Sequence, residues 1–429
     1  MAPFLSVLKI FNMENGFMEN KNLYGNAVVG QSGGPTAAIN ATLAGVVRGA
    51  LESKYINKIY GMKNGIEGLL ERRLIDLGEA LDCEEKIRSL ERTPAAALGS
   101  CRLKLPRAEK DASVYEKIFD IFAEYDIRYF FYIGGNDSMD TAAKVSEFAE
   151  SRGYDIRIIG IPKTVDNDLL VTDHTPGYGS AAKYVVTTVQ EIIYDCAVYT
   201  TKAVTIIEVM GRDAGWLTAA SAVGSVVNGI APDLVYLPEC AFDMNEFYSS
   251  VEKALQRHPN VVVAVSEGIR FADGRYVCES DQGGATDVFG HKALSGAAKT
   301  LEMAVKNRFG CKVRSIELNL PQRCAGHLLS KTDIFESVSI GKEAVRVAAE
   351  DGVSGDMMIF ERISTAPYSC VVSHRKVADI ANMVKGVPSE FINAEGNFVT
   401  KECCEYILPL IEGEDPPAYV RGIPNYIIL

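Results

Sequence analysis

Over most of its length the chain alternates between short β-forming runs and amphipathic helical stretches, and the turns between them are repeatedly glycine-rich or polar. Alternation of this kind implies parallel strands joined by right-handed crossovers, with helices on both faces of each sheet. The first unit reads as a strand at 26–30, the turn Gln31-Ser32-Gly33-Gly34-Pro35-Thr36, and a helix with Ile39, Leu43, Val46, Val47 and Ala50 on one face. A second unit runs from a strand at 129–133 through Gly134-Gly135-Asn136-Asp137-Ser138 into a helix that ends near Gly153. The pattern continues with strands at 156–161, 204–209, 261–266 and 313–318, and helices at 179–195, 213–227, 245–258, 294–308 and 332–349. Residues 60–70 read as strand and loop, and Ser113-x-x-Glu116 reads as a capping box that opens a helix. From residue 361 onward there are two short apolar runs and a Pro-rich tail, without recognisable chemistry.

Ligands of such sheets bind beyond the carboxyl ends of the strands. The polar clusters sit there: Gly33 and Gly34, Asn136 and Asp137, 163–168, Met210-Gly211-Arg212, Glu267-Gly268, and 314–323. The richest is Lys163-Thr164-Val165-Asp166-Asn167-Asp168. If that stretch is locally extended, residues two apart point the same way, so the two Asp carboxylates reach one substrate or one metal ion. Paired carboxylates suit a general base beside a metal-positioning acid. A polar loop that caps a turn fits these residues equally well. Gly33 and Gly34 would let backbone N–H groups approach an anion at a helix N-terminus, and a structural tight turn also explains them. Neither a Walker loop nor the dinucleotide Gly-x-Gly-x-x-Gly fingerprint is present.

Composition bounds the rest. A chain of 429 residues with 47% hydrophobic and 23% charged residues has enough apolar material for two or three domains. Its formal charge of −12 argues against a nucleic-acid backbone as partner, while leaving room for a local basic phosphate pocket. The ten cysteines show no Cys-x-x-Cys or Cys/His ligand spacing, which fits reduced thiols in a cytoplasmic protein. No apolar run approaches the roughly 20 residues of a membrane span. The first 24 residues read as an extension outside the fold, and no secretory leader is expected.

At this point the motifs resemble a family. Gly33-Gly34, Gly134-Gly135-Asn136-Asp137-Ser138, Pro162-Lys163-Thr164-Val165-Asp166-Asn167-Asp168, Met210-Gly211-Arg212 and Glu267-Gly268 stand in the order seen in phosphofructokinases, and the match is most similar to the pyrophosphate-using branch. The resemblance runs from about Asn26 to Ala349. It implies an α/β fold in which two Rossmann-like parallel-sheet domains face each other across a cleft. On that pattern 25–177 plus about 323–375 form a phosphoryl-donor domain, 178–322 a sugar-phosphate domain, and 376–429 a C-terminal segment. The implied activity is transfer of a phosphoryl group from pyrophosphate to the 1-hydroxyl of fructose 6-phosphate, with Mg²⁺, in a homodimer or homotetramer.

Carried over residue by residue, the resemblance makes Asp166 the base that takes the proton of the sugar hydroxyl, with Arg212 also in the catalytic set. Thr164, Met210, Gly211, Arg212, Glu267, Arg314 and Arg323 would surround fructose 6-phosphate. Gly34, Arg102, Gly135, Asn136, Asp137 and Ser138 would line the donor phosphates. Asn136 and Asp168 would place the metal or its waters. Two positions bear on the donor, because nucleotide-using relatives carry glycine where Asp137 and Lys163 stand. A carboxylate at 137 takes up the volume of an ATP α-phosphate and repels its charge, while the Lys163 ammonium neutralises pyrophosphate. The chain also departs from the pattern: Asn136 replaces an acidic residue, Leu320 a histidine, and Ala203 an arginine given by a neighbouring subunit, with Lys202 as its candidate substitute. The alternatives are an ATP-dependent 6-phosphofructokinase and a catalytically silent regulatory subunit that binds sugar phosphate. Sedoheptulose 7-phosphate also remains open as an acceptor.

Overall fold

The computed structural model describes residues 22–278, 296–379 and 384–429, so almost all of the expected N-terminal extension and residues 294–295 of one expected helix lie outside the described residues. In chain order the strands are β1 (Gly25–Gln31), β2 (Ile56–Met62), β3 (Leu74–Asp76), β4 (Ile127–Gly134), β5 (Arg157–Pro162), β6 (Ala203–Val209), β7 (Leu234–Tyr236), β8 (Ala241–Phe242), β9 (Asn260–Ser266), β10 (Arg270–Phe271), β11 (Lys312–Glu317), β12 (Asp356–Thr365) and β13 (Tyr368–Lys376). They build a seven-stranded sheet in the order β13-β12-β5-β4-β1-β2-β3, a four-stranded sheet in the order β11-β6-β9-β7 and the short pair β10-β8, and Tyr419–Val420 and Ile423–Pro424 form one more two-stranded pair near the C-terminus.

The inner strands follow the sequence expectation. In β4, residues 129–134 are all buried, as a strand covered on both faces must be. Residues Gln31 and Ile133 pair in parallel, as do Gly134 and Pro162, so β1, β4 and β5 end level with one another. In the second sheet Val209 pairs with Ser266, which brings the ends of β6 and β9 level too. Parallel register therefore delivers the loops after β1, β4, β5, β6 and β9 to strand ends.

Two edges depart from the all-parallel expectation: β3 runs antiparallel to β2, and β13 antiparallel to β12. The link between β12 and β13 is only Ala366-Pro367, too short for a crossover, so a hairpin is the geometry available. β13 is an edge strand with alternating half-exposed residues, and β12 joins the sheet by pairing Asp356 with Ile159 of β5.

Helices cover both sheets. Ile39–Glu52 crosses Lys331–Ala349 closely because Gly45 and Gly341 lie at the crossing. A Cβ on Gly45 would come 2.1 Å from the Val338 carbonyl oxygen, and one on Gly341 would come 2.2 Å from that of Thr42. Three local expectations are corrected. Residues 60–70 end β2 and then form the helix Gly65–Leu70, not a loop. Ser113 does not cap its helix. Its hydroxyl donates to Asp111 Oδ1 at 2.6 Å and its N–H to the same oxygen at 3.0 Å, so a local Asx turn wins. The single helix expected at 213–227 is two short ones, Trp216–Ala220 and Gly224–Val227, and Gly224 admits the Ile230 carbonyl where any Cβ would clash. Among the described residues no helix is long and apolar enough to cross a membrane.

Candidate active site

The loops at the strand ends converge on one cleft, lined on one side by Gly33, Gly34, Arg102, Lys104, Gly135, Asn136, Asp137 and Ser138 and on the other by Met210, Arg212, Asp213, Glu267 and Arg323. Lys163, Thr164, Asp166 and Asp168 line the same cleft between those groups.

On the first side, β4 ends in Gly134-Gly135 and the helix Asn136–Arg152 starts at once, with no side chain capping its N-terminus. Gly134 is required there: a Cβ would lie 1.9 Å from Ser138 Oγ. A 17-residue helix that aims an uncapped N-terminus into a cleft favours an anion, through its free N–H groups and its macrodipole. Asn136 Oδ1 is buried without a hydrogen-bond partner. Lys104 Nζ sits 3.3 Å from Asp137 Oδ1.

Lys163 follows β5 directly, and its backbone N–H donates to the Gly134 carbonyl at 2.9 Å. Its side chain is 2% exposed and donates to the Gly34 carbonyl, so it bridges the two glycine turns. Burial pulls its proton affinity down to about 8, while Asp166 and Asp168 act in the opposite sense.

Thr164 orients Asp166. Its Oγ1 accepts the Asp166 N–H at 3.1 Å and lies 3.5 Å from Asp166 Oδ2. Burial, then the charges of Asp168 and Glu267, push the Asp166 carboxyl up to about 7, against the opposing effect of Lys163. Asp168 is also shifted upward, chiefly by burial. The stretch is not extended, as the sequence reading supposed: Asn167 takes φ 52°, a left-handed turn, yet both carboxylates still line the cleft. Asn and Asp tolerate that region better than most residues because their short side chains bond locally.

On the second side, β6 and β9 end level, so Met210-Gly211-Arg212 stacks on Glu267-Gly268. Gly211 donates to Glu267 Oε1 at 3.2 Å, and the Arg212 carbonyl accepts Arg270 Nη2 at 3.1 Å. Met210 N–H donates to Gln322 Oε1 at 3.1 Å, which ties the loop to the short helix Pro321–Cys324 and so to Arg323. Arg323 reaches across: a Cβ on Gly34 would lie 3.3 Å from its Nη1.

Not every expected residue lines this cleft. Gly211 backs it without lining it. Arg314 lies near the start of β11, opposite Thr205, 3.8 Å from Asp195, and lines a different depression with Cys196 and Tyr199. Leu320 is 57% exposed. Sequence reasoning left Lys104, Asp213 and Val384 without a role, although all three line the cleft. Lys104 had a signal, its place in a basic loop, whereas Val384 had none. Among the described residues, the one compact set of metal-ligating atoms is His174, Glu336 and Cys370, outside this cleft, and both His174 nitrogens there already pair with carboxylates.

The phosphofructokinase family model matches residues 26–348. The chain is 43% identical over 403 residues to a pyrophosphate–fructose 6-phosphate 1-phosphotransferase of Halomonas elongata, covering 93% of this chain and 95% of that protein. It is 34% identical to a sulfofructose kinase of Alkalicoccus urumqiensis over 79% of this chain and 84% of that protein. Its fold is similar to the crystal structure of a pyrophosphate-dependent phosphofructokinase from Nitrosospira multiformis, with a TM-score of 0.84, 39% identity, and coverage of 94% and 96% of the two chains.

Proposed function

The chain belongs to the phosphofructokinase family, and from that premise we infer that it transfers the terminal phosphoryl group of pyrophosphate to the 1-hydroxyl of fructose 6-phosphate, giving fructose 1,6-bisphosphate and phosphate. The observation that carries this reading is Asp166, a carboxyl with raised proton affinity at the junction of an uncapped helix terminus and an arginine-lined wall, with Lys163 near it and Asp137 lining the same cleft.

The sugar hydroxyl attacks the terminal phosphorus, its proton passes to an Asp166 oxygen, and the bond to the bridging oxygen breaks to release phosphate. In the reverse direction the protonated Asp166 returns its proton to the departing sugar oxygen, so a carboxyl poised near neutrality serves both directions. Positioning and charge neutralisation account for the rest of the catalysis. We assign the donor phosphates to Gly34, Arg102, Lys104, Lys163 and the 135–138 turn. The sugar goes to Thr164, Met210, Arg212, Glu267 and Arg323, with Gly211 holding Glu267. Within one chain Arg314 does not reach this cleft. The large sheet with its donor-side loops and the four-stranded sheet with its sugar-side loops are the two halves of the proposed domain division.

Mg²⁺ is the metal proposed. The orphaned Asn136 Oδ1 and the carboxylates of Asp166 and Asp168 are hard oxygen donors, which fits it. When bound it would neutralise phosphate charge, with Asn136 and Asp168 holding it or its waters. So few protein oxygens suit an ion that keeps most of its water and leans on substrate phosphates.

Purified protein given pyrophosphate, Mg²⁺ and fructose 6-phosphate should release phosphate and form fructose 1,6-bisphosphate in equal amounts. Absence of turnover with pyrophosphate would remove the reading. ATP-only turnover would favour the nucleotide-using alternative, and binding without turnover the regulatory one.

A further inference from the structure

The part of the chain that carried no recognisable motif sends one segment back to the catalytic turn. Val384 lines the cleft and bridges Leu169 in antiparallel fashion. Lys385 donates its backbone N–H to the Asp168 carbonyl at 2.8 Å, and its own carbonyl accepts the Trp216 Nε1–H at 3.0 Å. Two residues on, the Val387 N–H donates to Glu239 Oε1 at 2.7 Å, the oxygen that also accepts the Gly215 N–H at 2.8 Å. Residues 384–387 are thus held between the loop that carries Asp166 and Asp168 and the loop that follows Met210-Gly211-Arg212.

The Lys385 side chain completes the arrangement. Its Nζ donates to Asn167 Oδ1 at 3.3 Å, the Thr172 carbonyl at 3.0 Å and the Asp173 carbonyl at 2.6 Å. Those are three acceptors for three ammonium protons. The first of them belongs to Asn167, the residue that takes the left-handed conformation between the two aspartates and is 0% exposed. The same ammonium lies 5.3 Å from the Trp216 ring centroid, a cation over an indole face. Tyr406 adds a second brace, donating its hydroxyl to the Asp173 carbonyl at 2.5 Å and lying 3.4 Å from Asn167 Nδ2.

We propose that Lys385 is a positioning residue for the phosphoryl transfer inferred above: it holds the Asp166-Asn167-Asp168 turn in the conformation that presents both carboxylates to the cleft, and through 384–387 it fixes that turn against the sugar-side loop. The proposal rests on the functional reading but makes a separate demand. A base displaced by a fraction of an ångström loses rate while the substrates still find their own contacts.

The test compares wild type, Lys385→Met, which keeps the aliphatic stem, and Lys401→Met, an exposed lysine whose ammonium pairs with Glu405 on its own helix, as a control for losing a lysine. Steady-state rates with pyrophosphate, Mg²⁺ and fructose 6-phosphate are read together with thermal unfolding and tryptophan emission, which reports one site because the chain has a single tryptophan. In Lys385→Met, kcat should fall about 10- to 100-fold with both KM values within about threefold of wild type. Its Trp216 emission should also shift, and Lys401→Met should match wild type in every respect. A folded Lys385→Met with wild-type kcat, or one whose loss lies in KM alone, overturns the proposal while the phosphotransferase reading stands. A wild type without pyrophosphate turnover overturns that reading instead. Should Lys385→Met fail to fold, Asn167→Gly removes the Oδ1 anchor while leaving the left-handed turn accessible. Its kcat should then fall at least about tenfold with KM preserved, and an unchanged kcat overturns the proposal.

Discussion

Lys104 Nζ and Asp137 Oδ1 stand 3.3 Å apart at the donor side of the cleft, each half-exposed, so the residue proposed to discriminate against nucleotides is itself paired with a cation. An exposed pair of this kind contributes little stability, on the order of 0–1 kcal/mol. Its consequence lies in binding, because a doubly anionic phosphate entering the cleft competes with Asp137 for the ammonium.

Lys104→Met should therefore weaken pyrophosphate binding more than catalysis. We expect KM for pyrophosphate to rise several-fold, kcat to change by less than about threefold, and the difference between the two proteins to shrink as salt screens the charge. Initial-rate measurements at two ionic strengths check this. An unchanged KM at low salt would place Lys104 outside the donor path.

Asp166 makes a pH prediction whose sign follows from the groups around it. Only the deprotonated carboxylate accepts the sugar proton, and burial with Asp168 and Glu267 holds the proton on up to about 7. Forward activity should accordingly rise with pH through neutrality, along a limb that belongs to the Asp166–Asp168 pair jointly. Lys163 opposes that shift, so Lys163→Met should move the limb to higher pH. Asp166→Asn should abolish the limb and lower turnover by about 10²- to 10⁴-fold with little change in fructose 6-phosphate affinity. A limb that moves to lower pH in Lys163→Met, or an Asn variant within threefold of wild type, would remove Asp166 from the role of base.

Asn136 bears on the metal. Its Oδ1 is buried without a partner, and an added carboxylate at that place gains Coulomb energy from a nearby cation. Asn136→Asp should tighten the apparent Mg²⁺ affinity, measured as the Mg²⁺ concentration for half-maximal rate at saturating substrates. A weaker or unmoved Mg²⁺ dependence would mean that position 136 does not sense the ion.

What was legible in the sequence divides along a physical line. The strands that end at the site were readable because both faces are buried, which leaves near-continuous apolar runs such as Phe130-Phe131-Tyr132-Ile133, each closed by a glycine or polar turn. Their motifs were readable because phosphate chemistry needs particular residues within a few positions of one another. The placement of β12 was not readable, since it depends on pairing Asp356 with Ile159, almost 200 residues apart, and no local pattern encodes such a partner. The helical break near Gly224 depends on the approach of the Ile230 carbonyl, a tertiary event. Lys385 lies 218 positions from Asn167 and looks like any lysine before a Gly-Val-Pro. Only the folded chain shows that its ammonium meets Asn167 Oδ1 inside the catalytic turn and the Thr172 and Asp173 carbonyls just after it.

Asp137 and Lys163 are the residues proposed to make this cleft take pyrophosphate and refuse ATP, and kcat/KM for both donors in wild type, Asp137→Gly, Lys163→Gly and the double variant tests that role. Asp137→Gly removes bulk and charge where an α-phosphate must sit, so ATP use should appear. Lys163→Gly should cost pyrophosphate use most, because the lost cation stabilises the transferring or leaving phosphate. The double variant should reverse the preference by more than either change alone, since the two side chains share one site and their effects need not add. A wild type that prefers pyrophosphate, with the ratio inverted in the double variant, is the predicted result; a wild type that prefers ATP, or a donor ratio unmoved by both substitutions together, would contradict it.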